Sequence, residues 1–231
     1  MQTLSSDRLG KFTASSIYKL FIGGAGKTRD TYIFEKAEEI VRGHMKVFRN
    51  KDTDHGLMNE YEAIQAFKEE TGFLVEYLDQ AFFKIDENSG ATPDAKVVDF
   101  SGVTVASLDV KCPTETFFRQ KYEQIKESKP EFQNVPKAYF YQAQMQMKAL
   151  SVENERLGLP PVNEHYLVRY LTKMDVDDDG NKIEYDLPLN IRLFYKKIKA
   201  DPIIQKDIKR LVDMAAMERD VLVRIFKTPI L

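Results

Sequence analysis

Between residues 54 and 70, Leu57, Ile64 and Phe67 recur at helical spacing in a polar stretch, which predicts an amphipathic helix. Asp54 stands where an N-cap would, and Gly72 lies just past the last periodic residue. Two helices precede it, over 13–21, ended by Gly23-Gly24, and over 30–42, stopped at Gly43. The period then changes. Residues 73–76, 81–85, 95–98 and 103–111 read as strands. The link Asp99-Phe100-Ser101-Gly102 is rich in turn formers and joins the last two as an antiparallel hairpin. Helices over 114–126 and 137–150 follow, then a second strand pair, 166–172 and 182–187, across a polar turn. From Asn190 onward the pattern is helical, with a break near Pro202. This order predicts a mixed α/β fold in which a sheet is flanked by helices, as one domain over residues 1–231.

Composition narrows the classes. A chain of 231 residues, 43% hydrophobic and 30% charged, suits a globular domain with a full core. No apolar run approaches the roughly 20 residues of a membrane span. Met1-Gln2-Thr3-Leu4-Ser5-Ser6-Asp7 has neither the basic flank nor the apolar stretch of a signal peptide. The single cysteine, Cys112, forms no internal disulfide, which points to a reducing cytoplasm. A net charge of −2 excludes a generally basic nucleic-acid binder, so any DNA contact must come from local Lys and Arg. Lys196, Lys197, Lys199 and Lys206, Lys209, Arg210 are such clusters, and each also reads as a solvated helix face.

Four features carry chemistry. In Asp109-Val110-Lys111 the strand period puts Asp109 and Lys111 on one face. The carboxylate can hold a hard cation and the ammonium can stabilise charge developing at phosphorus, although the pair also reads as a surface ion pair. The hairpin brings Asp94, in Pro93-Asp94, towards Asp109, and two acids together call for a cation; Pro-Asp is equally a turn dipeptide. Glu60 falls inside the apolar stripe of its helix, so it either reaches out at the stripe's edge or points into a cleft. Gln142 shares a helix face with Ala138, Met145 and Ala149, where its amide could serve a phosphate or simply close a helix–sheet boundary.

Taken in order, these residues resemble the PD-(D/E)XK nuclease superfamily, and within it the YqaJ-like, bacteriophage lambda-type exonuclease family. Arg8-Leu9-Gly10-Lys11-Phe12-Thr13-Ala14-Ser15 is similar to the family's Arg-Leu-Gly-x-x-Thr-Ala-Ser string. Gly56-x-x-x-Glu60-x-x-Ala63 resembles its helical glutamate motif, and Thr92-Pro93-Asp94 its Ser-Pro-Asp. Leu108-Asp109-Val110-Lys111-Cys112-Pro113 resembles Leu-Glu-x-Lys-Cys-Pro, and Ala138-Tyr139-x-x-Gln142-x-Gln144 the Tyr-x-x-Gln helix.

The resemblance implies a restriction-endonuclease-like core and a metal-dependent 5′→3′ exonuclease acting on duplex DNA. It implies that Glu60, Asp94, Asp109 and the carbonyl of Val110 hold Mg2+ or Mn2+, one ion or two. Lys111 would position the attacking water, and Gln142 would orient the lysine, the water or the phosphate. Arg8, Ser15 and Thr92 would bind the 5′-terminal phosphate. It further implies a trimeric ring, 3′ single-stranded overhangs for phage-type recombination, a single-strand annealing protein as partner, and the cytoplasm of a bacterial host cell. The sequence departs from the family at several points. Asp109 replaces the commoner Glu, Ala95 a Gly, and His55 stands where a tryptophan is frequent. Where the family carries a phosphate-binding arginine after the lysine, this sequence has Phe117, and Arg119 two residues further on takes that assignment.

Other motifs lead elsewhere. Gly23-Gly24-Ala25-Gly26-Lys27-Thr28 ends like a P-loop but has Phe21 where the first glycine belongs, and reads as a loop. Asp175-Val176-Asp177-Asp178-Asp179-Gly180 opens like a calcium loop, but its flanks read as strands and its twelfth position, Asp186, is not Glu; it reads as a hairpin turn. His44, His55 and His165 lack zinc spacing. The rival functions are a PD-(D/E)XK endonuclease acting on particular sequences or structures, and a DNA-end-binding protein without catalysis.

Overall fold

The computed structural model describes residues 6–22, 27–45, 51–113, 128–172, 174–176, 179, 181–184 and 187–228. A five-stranded mixed sheet forms the centre. Its strands are β2 (Leu74–Tyr77), β5 (Ala95–Val98), β6 (Thr104–Lys111), β7 (Glu164–Tyr170) and β10 (Leu193–Lys199), in the order β10-β7-β6-β5-β2. All neighbours are antiparallel except β6 and β7. A parallel pair needs a long crossover, and that crossover carries helix α3 (Lys137–Arg156).

Helices cover the sheet on both faces, which is why β6 is buried along almost its whole length. Helix α2 (Lys51–Thr71) lays Ala63, Ile64 and Phe67 on Leu108, Val110, Tyr166 and Val168. The opposite face of β6, with Ser107 and Asp109, meets α3. That helix is itself enclosed, because the 3-10 helix Ala14–Phe21 and helix α4 (Pro202–Lys227) pack on its far side. Phe140, Tyr141 and Met145 of α3 share a core there with Ile17, Leu20, Ile208 and Val212, and Phe21 stacks on Tyr141 at 3.8 Å.

A smaller sheet, β1-β4-β3, joins Phe12–Thr13, Ser89–Ala91 and Phe83–Lys84. The parallel pairing of Thr13 with Gly90 ties the N-terminal segment to the strand that leads into Thr92 and Asp94. Gly90 is required by space, since an added Cβ would lie 2.3 Å from Phe82 Cζ and 2.6 Å from the Phe83 carbonyl.

The expected mixed α/β class, the helices before residue 72 and the β5–β6 hairpin are all present. At the hairpin tip the Asp99 carboxylate accepts from the Ser101 and Val103 amides, and Gly102 takes φ +82°. Gly43 and Gly72 end helix α1 (Lys27–Arg42) and α2 at φ +72° and +69°.

Four expectations are corrected. Asp54 lies inside α2, which begins three residues earlier, so it is not the N-cap. Residues 193–199 are strand β10 rather than helix, because β7 needs an antiparallel partner on its open edge; the helix restarts at Pro202, capped by the Asp201 carboxylate. Strand β7 pairs with β6 and β10, not with residues 182–187. Instead β9 (Lys182–Glu184) pairs with β8 (Met174–Val176) in a separate hairpin, whose strand flanks agree with the turn reading there. The run 81–85 shortens to the two residues of β3. The 114–126 helix, Phe117, Arg119, Gly23–Gly26 and positions 177, 178 and 180 lie outside the described residues, as does the side chain of His55. Among the described residues no helix is long and apolar enough to cross a membrane.

Candidate active site

The β5–β6 hairpin builds the centre of the site. Ala95 pairs with Leu108, and the Asp94 amide donates to the Leu108 carbonyl at 3.1 Å, so Asp94 sits across from Asp109. The Asp94 carboxylate turns inward and accepts the Val110 amide at 2.6 Å. One strand period beyond Asp109, Lys111 places its Nζ 2.5 Å from Asp109 Oδ2. Helix α3 takes the other oxygen: Gln142 Nε2 lies 2.7 Å and Gln146 Nε2 3.0 Å from Asp109 Oδ1. Asp109 is thereby hydrogen-bonded on one oxygen and ion-paired on the other while only 2% exposed. Glu60 belongs to α2, which packs on the opposite face of the sheet against Leu108 and Val110, and it lies close enough to feel the Asp109 and Lys111 charges.

Electrostatics ties the groups together. Burial first, and then Asp109, push the Asp94 carboxyl well above its usual range, against the pull of Lys111 and the Val110 N–H. Glu60 is raised by burial and then by Asp109, with the Tyr77 hydroxyl and Lys111 acting against this. Tyr77 is in turn pushed up to about 12 by burial and by Glu60. Burial alone would lower the Lys111 ammonium, but the Asp109 and Asp94 carboxylates outweigh it and the net shift is upward. Three carboxyl groups thus share one ammonium.

Two observations bear on whether this site fits a divalent cation. Among the described residues no three His, Cys, Asp or Glu side chains close into a ligand set. Yet the donors are hard oxygens that repel one another, and among the described residues Glu60 Oε1, Thr92 Oγ1 and Gln146 Oε1 are buried without a hydrogen-bond partner. An oxygen-ligated cation such as Mg2+ or Mn2+ would neutralise that repulsion and suits those donors.

The residues expected to bind a terminal phosphate are placed less tightly. Arg8 is partly buried, stacked over Phe82 at 5.9 Å, and its Nε is buried without a hydrogen-bond partner among the described residues. Burial lowers its pKa and Glu39 opposes that. Ser15 is exposed in the first turn of the 3-10 helix Ala14–Phe21. Thr92 lends its carbonyl to Gln146 Nε2 at 3.5 Å.

Several neighbours escaped the sequence reading. Gln146 follows Gln142 by one helical turn and could have been found from that spacing. Gln144 lies on another face and is structural, joining the Lys199 carbonyl and the Asp201 amide at 2.9 and 2.7 Å. Glu62 is exposed and accepts the Tyr170 hydroxyl at 2.5 Å. His165 is buried against the Ser107 hydroxyl at 2.8 Å, and burial lowers its pKa to about 4, so the ring is neutral. Of the basic clusters, Lys197 pairs with Glu164 and Lys209 with Asp86 and Asp213.

Known proteins share the family and the fold of this chain. The family model for the YqaJ-like viral recombinase domain matches residues 5–150. No curated protein matches the sequence. Among solved structures, the alkaline exonuclease LHK-Exo from Laribacter hongkongensis in complex with dAMP superposes with a TM-score of 0.70 at 24% identity, covering 96% of this chain and 94% of that one. A phage-related exonuclease from Haemophilus somnus 129PT superposes with a TM-score of 0.70 at 17% identity, covering 94% and 96%. The fold is therefore the lambda-exonuclease-like PD-(D/E)XK type.

Proposed function

The chain belongs to the YqaJ-like viral recombinase domain family, and on that premise we propose that it is a metal-dependent exonuclease of duplex DNA. It degrades one strand from the 5′ end, leaving a 3′ single-stranded overhang for phage-type recombination. A trimeric ring around the DNA and a single-strand annealing protein as partner belong to the same reading, as does the cytoplasm of a bacterial host cell. The observation that carries it is the Asp109–Lys111 ion pair, flanked by Asp94 and by Glu60.

Glu60, Asp94 and Asp109, with the carbonyl of Val110, would hold Mg2+ or Mn2+. When bound, such an ion supplies Lewis acidity and neutralises charge on the phosphate. Lys111 directs its Nζ protons at the attacking water and at the phosphate oxygens, where negative charge grows as the new P–O bond forms and the bridging oxygen leaves. Gln142 keeps Asp109 in one orientation, so that its other oxygen stays with the Lys111 ammonium and the carboxylate would be fixed for a bound cation. Arg8, Ser15, Thr92 and Arg119 would receive the terminal phosphate. The dAMP held by LHK-Exo is a nucleoside monophosphate, the product class that this reaction releases.

Linear duplex DNA labelled separately at each end tests the reading, with Mg2+ and with a chelator, beside covalently closed circular duplex. We expect metal-dependent release of the 5′ label as mononucleotide, a retained 3′ label and an intact circle. Cutting of the circle would instead support an endonuclease. Binding to ends with no cleavage under any metal would support an end-binding protein.

A further inference from the structure

Strand β7 runs parallel to β6 in a register that sets Arg169 beside Lys111. Paired residues in such a ladder point to the same face. Both side chains reach one ring of α3. The Lys111 ammonium lies 5.5 Å and the Arg169 guanidinium carbon 5.4 Å from the Tyr139 centroid. Two cations thus stand side by side at the end of the sheet where Asp94 and Asp109 lie.

Arg169 differs from the other buried arginines. Arg192, 2% exposed, bonds the Leu171 carbonyl, the Tyr170 hydroxyl and Glu62. Arg219, 7% exposed, bonds the Gly10 carbonyl, Asn88 and Asp220. Arg169 is only 1% exposed and hydrogen-bonds Tyr139, yet among the described residues its Nε and Nη2 have no hydrogen-bond partner. Among the described residues the one carboxylate it feels is Asp109, which Lys111 and the two glutamines already occupy. Nε and Nη2 form one edge of the guanidinium, the fork that grips two oxygens of a carboxylate or phosphate at once. Leaving that edge empty in the interior is costly.

We propose that Arg169 and Lys111 together form the binding site for the phosphodiester under attack, with the Nε–Nη2 edge of Arg169 gripping its non-bridging oxygens. The inference rests on the nuclease reading and adds to it a substrate-binding residue, apart from the Arg8 and Ser15 pocket for the terminal phosphate. Lys111 keeps 27% of its side chain exposed, so an anion can reach it from solvent. Arg169 is one strand spacing behind, about 4.8 Å, a gap that one phosphate group bridges.

Arg169→Met and Arg169→Lys test this, using inorganic phosphate as the probe and linear duplex DNA as substrate. Removing a buried charge that has no carboxylate to itself should raise the Tm of the ligand-free Met variant, by about 2–4 °C. The same variant should lose most of the phosphate-dependent rise in Tm seen in the wild type. Its kcat/KM on DNA should fall about tenfold or more. The Lys variant keeps the charge but not the fork, so it should recover only part of both. A Met variant with a lower Tm, full phosphate response and wild-type rate would overturn the proposal by making Arg169 structural. If the Met variant does not fold, the Lys variant decides: an unchanged phosphate response and rate there overturn it equally. Wild-type protein that responds to phosphate through Arg169 but digests no DNA would sink the nuclease reading instead.

Discussion

Gln142 and Gln146 lie one turn apart on α3 and donate to the same atom, Asp109 Oδ1, at 2.7 and 3.0 Å. With that oxygen fixed, Oδ2 is committed to the Lys111 side of the site. Gln146→Leu should therefore lower kcat about 10- to 100-fold with little change in DNA affinity. Gln144→Leu should do the opposite and cost about 1–3 kcal/mol of stability with activity retained, since its amide serves the Lys199 and Asp201 backbone. Paired kinetics and thermal melts of the two variants check the distinction.

Lys111→Ala removes the one ammonium that the three carboxyl groups share. We expect the turnover of linear duplex DNA to fall by at least about 10²–10³-fold while end binding stays near wild type. Full activity in this variant would remove Lys111 from the mechanism.

Asp94 gives the metal-free protein a distinctive pH dependence. Its carboxyl is raised above 3.8 by burial and by Asp109, so the fold prefers it protonated. That contribution is complete below the unfolded value and is lost as pH rises through the raised folded one. Asp94→Asn keeps an acceptor for the Val110 amide but carries no charge. It should flatten this dependence and raise the metal-free Tm at pH 8, by about 2–4 °C for each kcal/mol of repulsion relieved, while abolishing DNA digestion. Melts from pH 5 to pH 8 in chelator test it, and a lower Tm in the variant at pH 8 would contradict the repulsion argument.

Duplex DNA with a 5′-phosphate should be digested faster than the same DNA with a 5′-hydroxyl. Arg8→Ala and Ser15→Ala should narrow that difference. Equal wild-type rates on the two ends would refute the assigned roles of both residues.

Gly10 sits at φ +67°, and an added Cβ would lie 2.3 Å from Ile40 Cγ1. Its carbonyl also receives Arg219 from α4. Gly10→Ala should cost about 1–3 kcal/mol through strain and overpacking, read as a drop in Tm.

The local features were legible in the sequence because local physics sets them. Strand alternation puts Asp109 and Lys111 on one face, the Asp99–Gly102 turn closes the hairpin, and Gly43 and Gly72 end their helices at positive φ. Each depends on residues a few positions apart. Register and edge pairing depend on distant chain, and only the tertiary structure decided those. Leu193–Lys199 is a strand because β7 has an open edge, whatever its own helical pattern suggests. Glu60 feels the Asp109 charge because α2 packs on the far face of the sheet. Arg169, alone in its sequence context, stands beside Lys111 only through the β6–β7 alignment, a non-local contact with no periodicity to announce it.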